Sequence, residues 1–179
     1  MSCGTLALAA SMHNEGLIVA RDNDAVRLAQ LGPRAARAGV TIIERLADSE
    51  LSKAMLDAVF VDAPCSGSGA WRRQPEQKWR LTPERLKQLQ MVQDTLLDQA
   101  AAAARGRIVY ATCSILGCEN EERIESFLER HPDFCVAPAA TIWQECTGTP
   151  PPPGMDTYFK ATPLTTGTDG FFTAVLVRT

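Results

Sequence analysis

Residues Ala58–Gly69 read Ala-Val-Phe-Val-Asp-Ala-Pro-Cys-Ser-Gly-Ser-Gly, a β-rich run that ends at an acid, a proline and a cysteine. The proline stiffens the turn, and the glycines let another backbone or a flat ligand come close. A second β-rich run, Arg107–Ala111, leads in the same way to Thr-Cys-Ser. Because neighbouring parallel strands end at one edge of a sheet, we expect Asp62, Cys65 and Cys113 to line a single cleft.

The wider pattern alternates apolar strands with helical periodicity, which predicts an α/β fold with a mostly parallel sheet. In such open sheets the ligand lies at the carboxyl ends of the strands. The Gly-Pro pair at residues 32 and 33 is expected to bend or break the first helix. The further predicted strands are Gly16–Ala20, Val40–Ile43 and Phe171–Val177, and the predicted helices are Ala25–Ala38, Thr82–Ala104 and Glu119–Glu129.

Composition places the chain among globular proteins. It has 179 residues, of which 45% are hydrophobic and 22% charged, so one domain is expected. No run of eighteen apolar residues and no signal-peptide pattern is present in this sequence. The net charge of −3 weighs against a dedicated nucleic-acid domain. Six cysteines without a secretory signal predict a reducing, cytoplasmic setting.

The cysteines admit three interpretations. A buried cysteine is commonly a small hydrophobe, but two at strand ends beside an acid favour a chemical role. A structural zinc site is disfavoured because Cys113, Cys118, Cys135 and Cys146 include no tight C-x₂-C pair, and no metal is predicted. A thioredoxin-like C-x-x-C is absent from the sequence. We expect the three cysteines just named after Cys113, together with Cys3, to serve packing.

Local charge differs from the global balance. Between Trp71 and Lys87, six basic and two acidic residues give a local charge of +4, with Trp71 and Trp79 interleaved. Phosphate neutralisation with aromatic stacking is typical of proteins that hold single-stranded RNA. The alternative is a solvated helix approach whose two tryptophans pack inward. The residues expected to contact RNA are Arg72, Arg73 and Lys78.

Several motifs in this order and spacing resemble the Sun (Fmu) family of RNA cytosine-C5 methyltransferases. They are Asp62–Gly69, Trp71–Glu76 with Lys78-Trp79, Tyr110–Ile115, Glu119-Asn120-Glu121 and Gly167–Phe172. The resemblance implies a Rossmann-like fold that uses S-adenosylmethionine to methylate RNA, with ribosomal RNA as the expected substrate class. It implies that the Cys113 thiolate adds to C6 of an unstacked cytosine and that Asp62 holds the N3/N4 edge of the base. Cys65 would assist product release, either by removing the C5 proton or by aiding elimination, whereas DNA cytosine methyltransferases use the Pro-Cys cysteine as the nucleophile.

The cofactor side rests on acids near strand ends. Asp22 follows the first predicted strand, where a carboxylate suits a ribose diol, although a solvated acid before a helix fits the pattern too. The resemblance places Asp48 near the adenine side of the cofactor. Asp62 and Pro64 complete the predicted cofactor site.

The sequence departs from the family at its beginning. The family has a strand and a Gly-Gly-Lys-Thr loop before the segment that matches Leu6–Leu8, and here only Thr5 matches that loop. We therefore expect residues 1–179 to form a single, incomplete catalytic domain without the usual first strand or the upstream RNA-binding region. An open sheet edge predicts strand rearrangement, a homodimer by strand exchange, or marginal stability.

Three rival functions remain at this point. The first is a catalytically silent RNA-binding or assembly module. The second is DNA cytosine methylation, although no DNA partner is expected. The third is a thiol redox protein.

Overall fold

The computed structural model describes residues 2–45, 55–152 and 155–179. It divides into two compact units, Met1–Ala54 and Met55–Thr179. Each unit is described by itself, and the expectation of a single domain over 1–179 stays a prediction.

The first unit contains two helices and a small parallel sheet. Its elements are α1 (Ser2–Ser11), β1 (Ile18–Ala20), α2 (Ala25–Arg37) and β2 (Ile43–Arg45). The two strands pair in parallel, with Ile18 opposite Ile43. The sequence predicted β1, β2 and α2 but gave no signal for α1. Strand β2 begins three residues later than predicted.

Helix α2 begins at a cap that the sequence encodes and continues past its proline. The Asp24 carboxylate accepts hydrogen bonds from the backbone amides of Val26 and Arg27. The predicted break at Gly32-Pro33 is wrong, since the helix runs to Arg37. Leu31 and Ala35 are buried on either side of the proline, and this packing offsets the lost backbone hydrogen bond.

The second unit is a five-stranded sheet with helices between its strands. The strands are β3 (Leu56–Asp62), β4 (Ala104–Thr112), β5 (Phe134–Ala137), β6 (Phe159–Ala161) and β7 (Phe171–Arg178). The order is β3-β4-β7-β5, and β6 also pairs with β7. Strands β3 and β4 are parallel, whereas β7 is antiparallel to β4, β5 and β6. Four of these five strands therefore run in one direction, and the mostly parallel sheet is confirmed.

Four helices accompany this sheet: α3 (Glu76–Arg80), α4 (Pro83–Ala103), α5 (Glu121–Arg130) and α6 (Ala139–Thr147). Thr82 caps α4 through a 3.2 Å hydrogen bond from the Arg85 amide, as its Thr-Pro-Glu start predicts. Helix α5 begins two residues later than predicted because Gly117–Glu119 forms a 3₁₀ turn.

The core of the second unit lies between the sheet and helices α4 and α5. Its fully buried side chains include Leu97, Ile108, Tyr110, Ile124 and Phe127. Burying each of these side chains stabilises the folded state by about 1.5–3 kcal/mol, because its apolar surface is removed from water. No helix in the described ranges is long and apolar enough to cross a membrane.

Candidate active site

The two predicted cysteines meet at the carboxyl ends of β3 and β4. Asp62 lies opposite Ala111 in the parallel register, and the Ala63 amide extends the pairing by a 2.9 Å hydrogen bond to the Ala111 carbonyl. This register carries the two following loops to the same side. The sulfur atoms of Cys65 and Cys113 lie 3.3 Å apart, so the two thiols are in direct contact.

The two thiols differ in acidity. The hydrogen bond from Cys65 lowers the pKa of Cys113 to about 7, against the opposing effects of partial burial and the charges of Asp62 and Glu119. The same hydrogen bond, together with burial, raises the pKa of Cys65 far above its usual value. Near neutral pH about half of Cys113 is therefore ionised, and its thiolate accepts a hydrogen bond from the neutral Cys65 thiol.

A buried carboxylate lies behind the thiol pair. Glu119 is completely buried, and its Oε1 accepts hydrogen bonds from the Ser66 amide (2.8 Å) and Gln93 Nε2 (3.1 Å). Its Oε2 accepts from Ser66 Oγ (2.5 Å) and Ser114 Oγ (2.6 Å). Ser66 and Ser114 each directly follow one of the two cysteines. One side chain thus connects both cysteine loops.

A second set of hydrogen bonds fixes the loop that carries Cys113. Thr112 Oγ1 donates to Asn120 Oδ1 (2.6 Å), and Asn120 Nδ2 donates to the Ser114 carbonyl (2.9 Å). The buried Tyr110 hydroxyl donates to the Glu119 carbonyl (2.8 Å). Our reading of the sequence assigned no role to these polar residues. The sequence feature that could have identified them is their position within the motifs, where a serine follows each cysteine and Glu-Asn precedes a helix.

Two glycines bring the Cys65 loop against the beginning of β7. The Gly69 amide donates to the Cys113 carbonyl (3.0 Å), and the Gly170 amide donates to the Gly69 carbonyl (2.9 Å). A Cβ atom on Gly69 would lie 2.2 Å from the Gly170 carbonyl oxygen. Gly69, one of the glycines predicted to permit a close approach of another backbone, therefore does so against the Gly170 backbone.

Asp62 and Pro64 lie at the same sheet edge as the thiols. Both residues are exposed, and the Pro64 carbonyl accepts a 2.9 Å hydrogen bond from Gln93 Nε2. Gln93 also donates to Glu119, so its side chain links the turn after β3 to the buried carboxylate. The structure thus brings together four of the predicted site residues: Asp62, Pro64, Cys65 and Cys113.

The other two predicted cofactor residues belong to the first unit. Asp22 is half-buried after β1, and its Oδ1 accepts a 2.9 Å hydrogen bond from the Asp24 amide. This bond fixes the carboxylate at the carboxyl end of the strand, as predicted. Asp48 lies outside the described residues.

The basic stretch is exposed but partly paired. Arg72 Nη2 lies 3.7 Å from the Asp169 carboxylate, and Arg73 also pairs with it, while the two arginine side chains stay 72% and 66% exposed. The Lys78 ammonium lies 5.8 Å from the Trp79 ring centre. Trp79 is 83% exposed and Trp71 is half-buried. The inward-packing alternative therefore describes Trp71 and not Trp79.

The remaining cysteines play no part in this arrangement. Cys118 is half-buried, but Cys135 and Cys146 are exposed, so the expectation that they pack in the core is wrong. Cys135 alternates with the buried Phe134 along β5 and faces outward. The Cys3 side chain lies outside the described residues. Within the described ranges no three or more His, Cys, Asp or Glu side chains form a group that could hold a metal ion.

Comparisons with known proteins place this site in a family context. Residues 3–177 match the sequence model of the family described as 16S rRNA methyltransferase RsmB/F. The chain is 36% identical to a 28S rRNA (cytosine-C(5))-methyltransferase of Mus musculus, with 97% of this chain and 40% of the relative aligned. It is 32% identical to a probable ribosomal RNA small subunit methyltransferase B of Bacillus subtilis, with 92% and 38% aligned. The chain thus spans about two fifths of these relatives.

A solved structure agrees with the predicted fold. A methyltransferase homolog from Pyrococcus horikoshii is 27% identical and superposes with a TM-score of 0.74, covering 96% of this chain and 56% of that one. The expected Rossmann-like methyltransferase fold is confirmed.

Proposed function

This chain belongs to the 16S rRNA methyltransferase RsmB/F family, and we propose that it carries the chemistry of an RNA cytosine-C5 methyltransferase. The observation that carries the proposal is the thiol pair, in which Cys113 has a pKa of about 7 beside a neutral Cys65. Methylation of an unactivated pyrimidine carbon needs a covalent adduct, and a thiolate that forms at neutral pH is a suitable nucleophile. By analogy with its relatives, ribosomal RNA is the proposed substrate class.

The proposed reaction begins with an unstacked cytosine in the cleft. The Cys113 thiolate adds to C6, the Asp62 carboxyl gives a proton to N3, and the electron pair of the C5–C6 double bond moves to C5. C5 would bond to the electrophilic methyl group that bound S-adenosylmethionine supplies, with S-adenosylhomocysteine as the leaving group. The C5 proton then passes to water, the C5–C6 double bond re-forms as the bond between sulfur and C6 breaks to release the Cys113 thiolate, and N3 returns its proton to Asp62.

The geometry favours one of two roles for Cys65 in product release. A thiol with a raised pKa is a poor base for the C5 proton in the resting site. The same thiol lies 3.3 Å from the sulfur that must leave C6 as a thiolate. We assign to Cys65 the stabilisation of this leaving thiolate by hydrogen bonding, which assists elimination.

The acids at the strand ends fit a cofactor with a ribose diol. A carboxylate accepts both hydroxyl hydrogen bonds of a diol, and Asp22 is already oriented by the Asp24 amide. Asp62 and Pro64 present exposed surface beside the thiols. Asp22, Asp48, Asp62 and Pro64 remain the proposed cofactor residues.

Calorimetric titration of S-adenosylmethionine tests this part of the proposal. The wild-type chain should bind it with micromolar affinity, and Asp22→Asn should weaken binding roughly tenfold or more, since hydrogen bonds to a charged group are lost. Asp57→Asn changes an exposed acid elsewhere on β3 and serves as the matched control. Equal affinity of the Asp22 variant and the wild type would remove Asp22 from the site.

For the RNA, we propose contacts to phosphates from Arg72, Arg73 and Lys78 and stacking on Trp79. The ion pairs with Asp169 orient the two arginines while leaving most of their surface exposed. The chemistry needs reduced thiols, so a reducing compartment such as the cytoplasm is proposed as its setting.

Covalent trapping tests the reaction itself. An RNA with 5-fluorocytosine at the target position blocks the final step because fluorine cannot leave C5 as the proton does. With S-adenosylmethionine present, the wild-type chain should form a denaturation-resistant adduct that peptide mapping assigns to Cys113. Cys113→Ala should form none, and Cys65→Ala should retain the adduct.

The rivals predict other outcomes of the same experiment. A silent binding module would retain the RNA without any adduct. A DNA cytosine methyltransferase would trap deoxy substrate at Cys65. A thiol redox protein would show reactivity that does not depend on nucleic acid.

A further inference from the structure

We propose that Glu119 is a positioning residue of this site: its buried carboxylate holds the two cysteine loops at the separation at which Cys65 donates to Cys113. The proposal rests on the proposed function for its catalytic meaning. The geometric claim itself concerns only residues of this chain.

The first step concerns where Glu119 attaches. Three of its four hydrogen bonds come from Ser66 and Ser114, the residues that directly follow Cys65 and Cys113. The fourth comes from Gln93 on α4, which also holds the Pro64 carbonyl. The carboxylate therefore lies at the junction of both cysteine loops and the helix beneath them.

The second step concerns the cost of this arrangement. A fully buried carboxylate is unfavourable unless it is paired and hydrogen-bonded. In the described residues the four hydrogen-bond partners of Glu119 are all N–H or O–H groups, and none of the ion pairs there includes it. A fold that needed only to fill this space could do so with an apolar side chain, so a carboxylate here indicates a requirement for acceptors.

The third step separates charge from placement. The negative charge of Glu119 raises the pKa of both cysteines, so electrostatically it opposes the thiolate. The Asp62 charge opposes it too, while the hydrogen bond from Cys65 is the largest effect on Cys113. What Glu119 contributes is therefore the separation of the thiols, which makes that hydrogen bond possible.

Two substitutions distinguish these contributions. In Glu119→Gln the amide oxygen can still accept from the Ser66 amide and Gln93, and the serine hydroxyls can rotate to accept from the new NH₂ group. This variant keeps the connections and loses the charge. In Glu119→Ala all four hydrogen bonds are lost. The bond from the Gly69 amide to the Cys113 carbonyl still joins the two loops, but the residues after the cysteines lose their shared acceptor, so the thiols can move apart.

The measurement is the rate of alkylation of Cys113 by iodoacetamide as a function of pH, read by peptide mass spectrometry. The wild-type midpoint should lie near 7. Glu119→Gln should keep its midpoint at or below that value. Glu119→Ala should move the midpoint towards the ordinary thiol pKa near 9. Alkylation at pH 7 should then be roughly fivefold slower, because the smaller thiolate fraction is only partly offset by the greater nucleophilicity of a thiolate with a higher pKa.

The matched control is Glu129→Ala, an exposed glutamate at the other end of α5 whose loss should leave the midpoint unchanged. A folded Glu119→Ala variant with the wild-type midpoint would overturn the proposal. Should that variant fail to fold, the double variant Ser66→Ala with Ser114→Ala decides, because it leaves the carboxylate but removes its bonds to both hydroxyls. A raised midpoint supports the proposal, and an unchanged one overturns it.

This readout needs neither RNA nor cofactor. A chain that never traps fluorinated RNA can still show the shift, so failure of the proposed function and failure of the positioning role remain distinguishable.

Discussion

Cys65 and Cys113 hold one proton between two sulfur atoms 3.3 Å apart, and this arrangement removes the need for a separate base. No residue of the sequence suggested itself as the group that deprotonates the nucleophile. With a pKa of about 7, about half of Cys113 is ionised at neutral pH without such a group. The hydrogen bond from the neighbouring thiol thus stabilises the thiolate, as a histidine commonly does beside a catalytic cysteine.

Removing the Cys65 donor should raise the pKa of Cys113. We expect Cys65→Ala to shift the midpoint of Cys113 alkylation from about 7 towards 9, since the thiolate loses the hydrogen bond that most stabilises it. Cys65→Ser keeps an O–H donor for the Cys113 sulfur. The midpoint of Cys113 alkylation should therefore stay below 8, roughly one unit below the ordinary pKa of a thiol. Identical profiles for Cys65→Ala and the wild type would show that the thiol pair does not set the pKa of Cys113.

At the scale of elements, the site depends on contact between the Cys65 loop and the beginning of β7. We expect Gly69→Ala to destabilise the chain by about 2 kcal/mol or more, because the new Cβ would overlap the Gly170 backbone, which cannot rotate away. Gly117→Ala is the control, since its nearest neighbour would be Glu121 Oε2 at 3.7 Å, and it should change stability by about 0.5 kcal/mol or less. Urea unfolding measures both, and equal destabilisation would contradict the close approach.

The elements that carry the thiols were predictable from sequence, and the reason is local. Strands β3 and β4 contain the apolar runs 58–61 and 108–111, which lead to an acid and to a polar triplet, so the pairing of the two strands places Cys65 beside Cys113. The beginning of helix α4 is predicted by the capping hydroxyl of Thr82 and by Pro83 at the first helical position. By contrast β5 and β6 were not predicted. They have only four and three residues and, unlike the equally short β1 and β2, they do not lie in a run of adjacent β-branched residues that would distinguish them from loops.

The role of Glu119 illustrates what a sequence pattern does not reveal. Glu119 begins a predicted helix, where an acid ordinarily faces water and interacts favourably with the helix dipole, so its sequence position gives no sign that it is buried. Only the tertiary packing of a 3₁₀ turn against both cysteine loops buries it. The exposure of Cys135 likewise follows from its position on β5, which sequence analysis had not identified.

Helix α2 offers a test of how its proline is tolerated. Pro33 cannot donate a hydrogen bond to the Ala29 carbonyl, so Pro33→Ala should stabilise the helix by about 1–3 kcal/mol. Hydrogen exchange of the α2 amides should then slow by roughly tenfold or more. Gln30→Ala, an exposed change in the same helix, should alter exchange by about threefold or less. Faster exchange in the Pro33 variant would show that the proline is required by its surroundings.

At the scale of the whole molecule, the net charge has the same sign as the phosphates of the proposed RNA ligand. The chain carries a net charge of −3, so general attraction to RNA is weak, and binding must come from a local surface. The surface that we propose for this role is the stretch from Trp71 to Lys87, which has a local charge of +4 and follows the loop that carries Cys65. The chain spans about two fifths of its relatives, so this surface is proposed as the contribution of this part alone.

Salt dependence measures that contribution directly. Binding of a short single-stranded RNA should weaken linearly in log–log form with salt, and Lys78→Ala should reduce the slope by about 0.7, the value of one phosphate contact. Arg37→Ala removes an exposed charge from α2, outside the basic stretch, and should leave the slope unchanged. Trp79→Ala should weaken binding at every salt concentration by about 1–3 kcal/mol without changing the slope, because stacking releases no counterions. If Lys78→Ala and Arg37→Ala reduced the slope equally, the attraction would be general, and the local surface would have no special part in holding RNA.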